Sequence, residues 1–217
     1  MLWPNFCIDN FFQNPDSVVD FSKTLKFYKS SGKFPGERTK PLHEINYDFF
    51  LKVTKKIVAC LYPNDLENLE WKALQFFQKI KPQEHLTKGF IHQDIEREFT
   101  SIVYLSSNDS NTCFYKRLKE DIPNHIKIKE DIYLNKKQSN LKFEKSLKED
   151  HNSYEKTIEF KSIKNRMILF DGSADHGVES FGKKNEEERL TLITFFSSIY
   201  RTDGEALKFH SNECKRY

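Results

Sequence analysis

His92, Gln93 and Asp94 stand just ahead of a run of strand-forming residues, Phe99 to Leu105. In an extended backbone alternate side chains share a face, so His92 and Asp94 project together while Gln93 points away. An imidazole and a carboxylate side by side supply two of the three ligands of a 2-His-1-carboxylate set. Such a set takes one side of an octahedral ion, suits Fe(II), and leaves the opposite positions open for a co-substrate and oxygen. Of the seven histidines, only His92 has an aspartate two positions on. The pair alone is weak evidence, and its weight depends on a second histidine.

Beyond residue 164 the stretch NRMILFDGSADHGVESFGKKNEEERLTLITFF reads as a strand over Arg166 to Phe170, a turn at Asp171-Gly172, then His176, then a last strand opening at Arg189. His176 is the candidate third ligand, because strands remote in sequence meet across a closed double sheet. Arg189 heads a row with Thr191, Ile193 and Phe195 on one strand face. A guanidinium fork with a hydroxyl nearby suits the far end of a dicarboxylate, which it holds through two directed, charge-assisted hydrogen bonds.

Residues 3 to 8 suit a short edge strand, and Asn14-Pro15 reads as the cap and first position of a helix whose apolar face carries Val18, Phe21, Leu25 and Tyr28. The loop SSGKFPGERT follows. Leu42, Ile45, Phe49, Val53, Ile57 and Cys60 then trace a second amphipathic helix. From Trp71 the pattern changes to short runs rich in β-branched and aromatic residues: EWKALQFFQKI, EFTSIVYLSS, TCFYK, TIEFKSI, RMILFDG and RLTLITFFSSIY. These predict a mainly β fold with flanking α-helices, a jelly roll whose double sheet buries most of the 20 phenylalanines. Lys116 to Lys156 is dense in mixed charge with little periodicity and reads as an insertion, a lid or a solvated excursion.

At 217 residues the chain suits one domain, residues 1–217, with helical support over 1–70 and a core over 71–200. Its 35 basic and 32 acidic residues are too balanced to announce a nucleic-acid partner. No basic leader and no membrane-length apolar run is visible, so a cytoplasmic protein is expected. Cys7, Cys60, Cys113 and Cys214 lie far apart without metal-binding spacing, which fits reduced thiols.

The order His-x-Asp, a strand ending Tyr-Leu, a Thr-x-Phe strand, Leu-Phe-Asp followed by His-x-Val, then Arg before a last apolar strand resembles the Fe(II)/2-oxoglutarate-dependent dioxygenases, in particular their prolyl-hydroxylase-like branch. The resemblance covers roughly residues 89 to 200, apart from the charged stretch. The amino-terminal segment is similar to a bacterial and phage group of that superfamily, for which the location would be the host cytoplasm. Family likeness implies that His92, Asp94 and His176 hold Fe(II). It further implies that 2-oxoglutarate chelates the metal and meets Arg189 and Tyr104 through its distal carboxylate, with Thr191 a second hydroxyl for that role. Phe195 and Phe114 would shape the pocket, and Arg38 is a candidate for an anionic group of the substrate.

The reaction implied is oxidative decarboxylation of 2-oxoglutarate by O2 to succinate and CO2, coupled to hydroxylation of a peptidyl, prolyl-like residue or of a small molecule. Nucleobase-repair members carry a second arginine six residues after the first, where this chain has Phe195. Ser110-Asn111 stands where the branch often has Gly-Gly, and the spacing from His176 to Arg189 is a few residues longer than usual. Two other classes remain: a catalytically silent double-stranded β-helix used for binding, and a cupin-like protein with another metal. The first would lack a ligand, and the second would have no need of Arg189.

Overall fold

The computed structural model describes residues 3–82, 88–120, 126–134, 140–181, 187–204 and 207. Ten strands and five helices follow in the order β1 (Phe6–Ile8), α1 (Pro15–Lys23), β2 (Tyr28–Lys29), β3 (Glu37–Arg38), α2 (Leu42–Ile45), α3 (Tyr47–Leu61), β4 (Leu69–Ile80), β5 (Phe99–Tyr104), β6 (Thr112–Arg117), α4 (Ile126–Tyr133), α5 (Asn140–His151), β7 (Tyr154–Phe160), β8 (Met167–Asp171), β9 (His176–Val178) and β10 (Arg189–Arg201). They form a double-stranded β-helix. A seven-stranded antiparallel sheet runs β1-β8-β5-β10-β4-β3-β2, and a three-stranded one runs β7-β6-β9.

The large sheet is covered on both faces, and the two-residue period of its strands decides which side chain goes where. Val103 and Leu105, Met167 and Leu169, Leu192 and Phe196 join one core with Val53, Ile57, Val58 and Leu61 of α3. Their sequence neighbours Ile102 and Tyr104, Ile168 and Phe170, and Ile193 point the other way and pack with Phe114 of the small sheet. Every residue of β5 and β8 is buried as a result, the polar Thr100, Ser101 and Asp171 included.

The two helices read from periodicity come out differently. Asn14 caps α1 through its side chain, and Pro15 fills the first turn. The helix stops at Lys23, where the Thr24 hydroxyl and N–H both turn back to the Phe21 carbonyl. Tyr28 therefore leaves the helical face predicted for it and pairs with Arg38 in the β2–β3 ribbon, with its side chain exposed. The second predicted helix divides at Asn46, whose extended backbone ends α2 and whose side chain accepts from the Phe49 N–H to start α3. Ile45 falls in the shorter piece and is exposed. From Phe50 onward the stripe Val53, Thr54, Ile57, Val58 and Leu61 is buried at helical spacing.

The charged stretch is not a plain loop. Lys116 and Arg117 end β6, Tyr154 to Lys156 begin β7, and α4 and α5 lie between them. Cys7, Cys60 and Cys113 are free thiols, and Cys214 lies outside the described residues. No described helix is long and apolar enough to cross a membrane.

Candidate metal centre

Residues 89–94 run antiparallel to β9 and the turn before it. Gly89 donates to Val178 at 2.8 Å, His92 and His176 exchange both backbone hydrogen bonds at 2.9 Å, and the Asp94 N–H reaches the Gly172 carbonyl at 2.8 Å. Residues paired this way point their side chains to one side of the ladder, so the register places the two imidazoles together. Gly172 is needed at the turn, because a Cβ there would lie 2.1 Å from the Arg97 carbonyl oxygen. The Asp94 carboxylate thus completes a cluster of His92, Asp94 and His176 in which one ligand atom from each lies within 4.8 Å of the others.

The histidines are oriented by one shared device. Each Nδ1 meets the carbonyl two residues earlier, His92 at Phe90 (3.0 Å) and His176 at Ala174 (2.9 Å). A carbonyl can only accept, so each Nδ1 carries a proton and each ring turns its Nε2 inward. Burial, with help from His176 and Lys129, pushes the His92 pKa far below the ordinary histidine value, against smaller opposing effects of Asp94 and Phe90. His92 is therefore in its neutral, ligating form.

Burial pushes the Asp94 carboxyl up, but His176, His92, the Thr100 hydroxyl and Arg38 outweigh it and leave the group below the usual carboxylate range. Thr100 donates to Oδ2 at 2.6 Å, and the same oxygen lies 3.7 Å from His176 Nε2. Two oriented imidazoles and an ionised carboxylate suit a divalent transition ion.

All three candidate ligands open into a cavity of about 540 Å³ that is also lined by Arg189, Phe195 and Arg38. Arg189 begins β10 and is 3% exposed. Its Cζ lies 5.6 Å from the Tyr104 ring centroid, and its Nε donates to the Ser110 carbonyl at 3.4 Å. Among the described residues no carboxylate pairs with it. Burial pulls its pKa down, with Tyr104 acting in the opposite sense. A buried guanidinium facing a cavity, with no carboxylate partner among the described residues, is a ready anion site.

The remaining predicted residues take varied places. Thr191 shares the Arg189 side of β10 and is fully buried, with its hydroxyl 3.5 Å from the Gln78 carbonyl. Tyr104 pairs with Thr191 and donates its hydroxyl to Thr112 at 2.6 Å, and of those two hydroxyl residues it is Thr112 that reaches the cavity surface. Phe114 packs behind the site, 6.1 Å from the His176 ring. Thr100 carries no signal in the sequence, being a lone threonine in a strand, and Thr112 enters there only as the start of the Thr-x-Phe motif, with no role in the site. Lys129 and Tyr133 of α4 also line the cavity, from the stretch read only as charged.

Residues 3–196 match the family of unknown function DUF6445. The chain belongs to that family. No curated protein matches it. Among solved structures it is similar to HygX from Streptomyces hygroscopicus with nickel and 2-oxoglutarate bound, at 13% identity over 88% of this chain and 82% of that one, with a TM-score of 0.57. It is also similar to a Pseudomonas putida prolyl-4-hydroxylase (11%, 88% and 91%, 0.52) and to SnoN, a non-haem α-ketoglutarate-dependent epimerase of nogalamycin biosynthesis (10%, 95% and 86%, 0.53). At such identities the likeness is one of fold, and that fold is the jelly roll of 2-oxoglutarate oxygenases.

Proposed function

We propose that this DUF6445 member is an Fe(II)- and 2-oxoglutarate-dependent oxygenase that hydroxylates a small-molecule or peptidyl substrate. One observation carries the reading: Arg189, a buried guanidinium with no acidic partner among the described residues, opens into the same cavity as the His92, Asp94 and His176 cluster. An ion site alone fits many metal proteins. An ion site with an anion clamp in one cavity fits a metal-chelating dicarboxylate.

With Fe(II), 2-oxoglutarate and O2 bound, the centre would supply the oxidising power to hydroxylate a C–H bond, leaving succinate and CO2. The chain's own contribution is positional. His92 and His176 present Nε2 from rings fixed by the Phe90 and Ala174 carbonyls, and Thr100 holds the Asp94 carboxylate in place. Arg189 would take the distal carboxylate of the co-substrate in a bidentate grip. Ile102, Ile193 and Phe195 give the cavity an apolar wall that keeps water from the reacting centre. Support for a small-molecule substrate comes from HygX, a structural neighbour also seen with hygromycin B bound, and for a peptidyl one from the prolyl-4-hydroxylase.

The test is an anaerobic titration of metal-free protein with Fe(II) and then 2-oxoglutarate, following the visible absorption of the chelate. A saturable band that His92→Ala abolishes is the expected result. No band from folded, iron-loaded protein would overturn the proposal.

A further inference from the structure

The chemistry above employs one of the three arginines that line the cavity, Arg189. A second, Arg38, leaves β3 opposite Gln78. Gly36 makes this approach possible, since a Cβ there would lie 2.1 Å from the Lys79 carbonyl oxygen. The Arg38 guanidinium packs among aromatic rings, with Cζ 4.0 Å from the Phe34 centroid and 5.3 Å from that of Phe195. Its Nη2 donates to Gln78 Oε1 at 3.2 Å, but its Nε is buried with no partner among the described residues. No carboxylate pairs with Arg38 among the described residues. Asp94 is near enough for the two charges to influence each other, yet the two do not form an ion pair. A buried donor left unmade is costly, and a bound acceptor relieves it.

The surroundings share the same sign. Arg97 Cζ lies 5.9 Å from the same Phe195 ring, and Lys129 and Lys33 reach the cavity too. Of the described lining residues, Asp94 is the single acid against five cations. A divalent ion and a dicarboxylate bring equal and opposite charge, so this excess survives loading of both. Arg38 and Arg189 are also held by different groups. Arg189 lies against Tyr104, whereas Arg38, whose backbone shares the cross-strand row Arg38–Gln78–Thr191–Tyr104, turns its guanidinium to the rings of Phe34 and Phe195.

We infer that the cavity takes a small-molecule substrate bearing a carboxylate or phosphate, which docks on Arg38 with its apolar or aromatic portion against Phe34 and Phe195. Arg97 and Lys129 add long-range attraction for the same group. Planar guanidinium held between rings keeps its fork free for an oxyanion while the ring faces cover its flat sides. The inference rests on the oxygenase reading, and the experiment separates the two.

Protein loaded anaerobically with Fe(II) and 2-oxoglutarate, the chelate band verifying the loading, is titrated calorimetrically with phenylacetate, phenyl phosphate and uncharged phenylacetamide. One or both anions are expected to bind about tenfold or more tightly than the amide, and the stronger of them identifies the group. Arg38→Met should erase that preference while the chelate band persists, and Arg38→Lys should restore part of it. Loss of the band in unaltered protein defeats the oxygenase reading. A normal band with no anion preference, or a preference that survives Arg38→Met, overturns the docking role. So does a band lost in Arg38→Met but kept in Arg189→Met, since Arg38 would then be the co-substrate clamp.

Discussion

His92 and His176, far apart in the chain, form a directly opposed cross-strand pair: each backbone N–H donates to the other's carbonyl at 2.9 Å, and their ring centroids are 4.4 Å apart. The backbone ladder itself therefore builds the site, with no need of long-range side-chain contacts to bring the imidazoles together. His176→Ala removes a candidate ligand and leaves that ladder intact. The variant should keep its circular dichroism spectrum while its Fe(II) affinity falls by about 100-fold or more, beyond the range seen when only a ligand's supporting group is lost. Unchanged metal content by elemental analysis would reject His176 as a ligand.

Thr100→Val tests the support of the carboxylate. It keeps the shape of a β-branched strand residue but deletes the hydroxyl that donates to Asp94 Oδ2 at 2.6 Å. Fe(II) affinity should drop by about 10- to 100-fold. Equal affinities in a competition titration would mean that Asp94 is held by other contacts.

Arg189→Met should weaken 2-oxoglutarate binding to the Fe(II)-loaded protein by about tenfold to a hundredfold, the value of one or two hydrogen bonds to a charged group. Iron retention should not change, because no metal ligand is touched. Arg189→Lys keeps the charge without the planar fork and should fall between the two. An unaltered dependence of the chelate band on 2-oxoglutarate would reject the clamp.

Gly172→Ala places a methyl group 2.1 Å from the Arg97 carbonyl oxygen, so the turn that receives the Asp94 N–H must shift. A loss of about 1–3 kcal/mol in urea denaturation is expected, in the range of overpacked sites. Metal affinity should fall with it. A fully stable variant with normal iron binding would show that the turn yields freely.

Asn46→Ala removes the side-chain cap that lets α3 begin where α2 ends. The expected cost is about 0.5–2 kcal/mol in the same denaturation assay, with the metal centre unaffected.

The sequence by itself determined the fold class, because alternation of apolar residues encodes which face of a strand is buried. It also singled out His92, Asp94, His176 and Arg189, which the fold brings to one cavity. It located the strands of the large sheet well, since β4, β5, β8 and β10 each carry enough buried positions to mark their period. Periodicity misjudged Tyr28 and Ile45, because a helical stripe does not show where backbone hydrogen bonding ends. Pairing with Arg38 decided the first, and the Asn46 cap decided the second.

Only the tertiary structure decided what surrounds the site. That Tyr104 spends its hydroxyl on Thr112, that Lys129 and Tyr133 reach the cavity from the charged stretch, and that Arg38 lies among Phe34 and Phe195 all depend on contacts between elements remote in the chain. Local spacing reports which face of one element a side chain occupies. The partner waiting on that face is set by strand register and packing, which a single chain read in order does not contain.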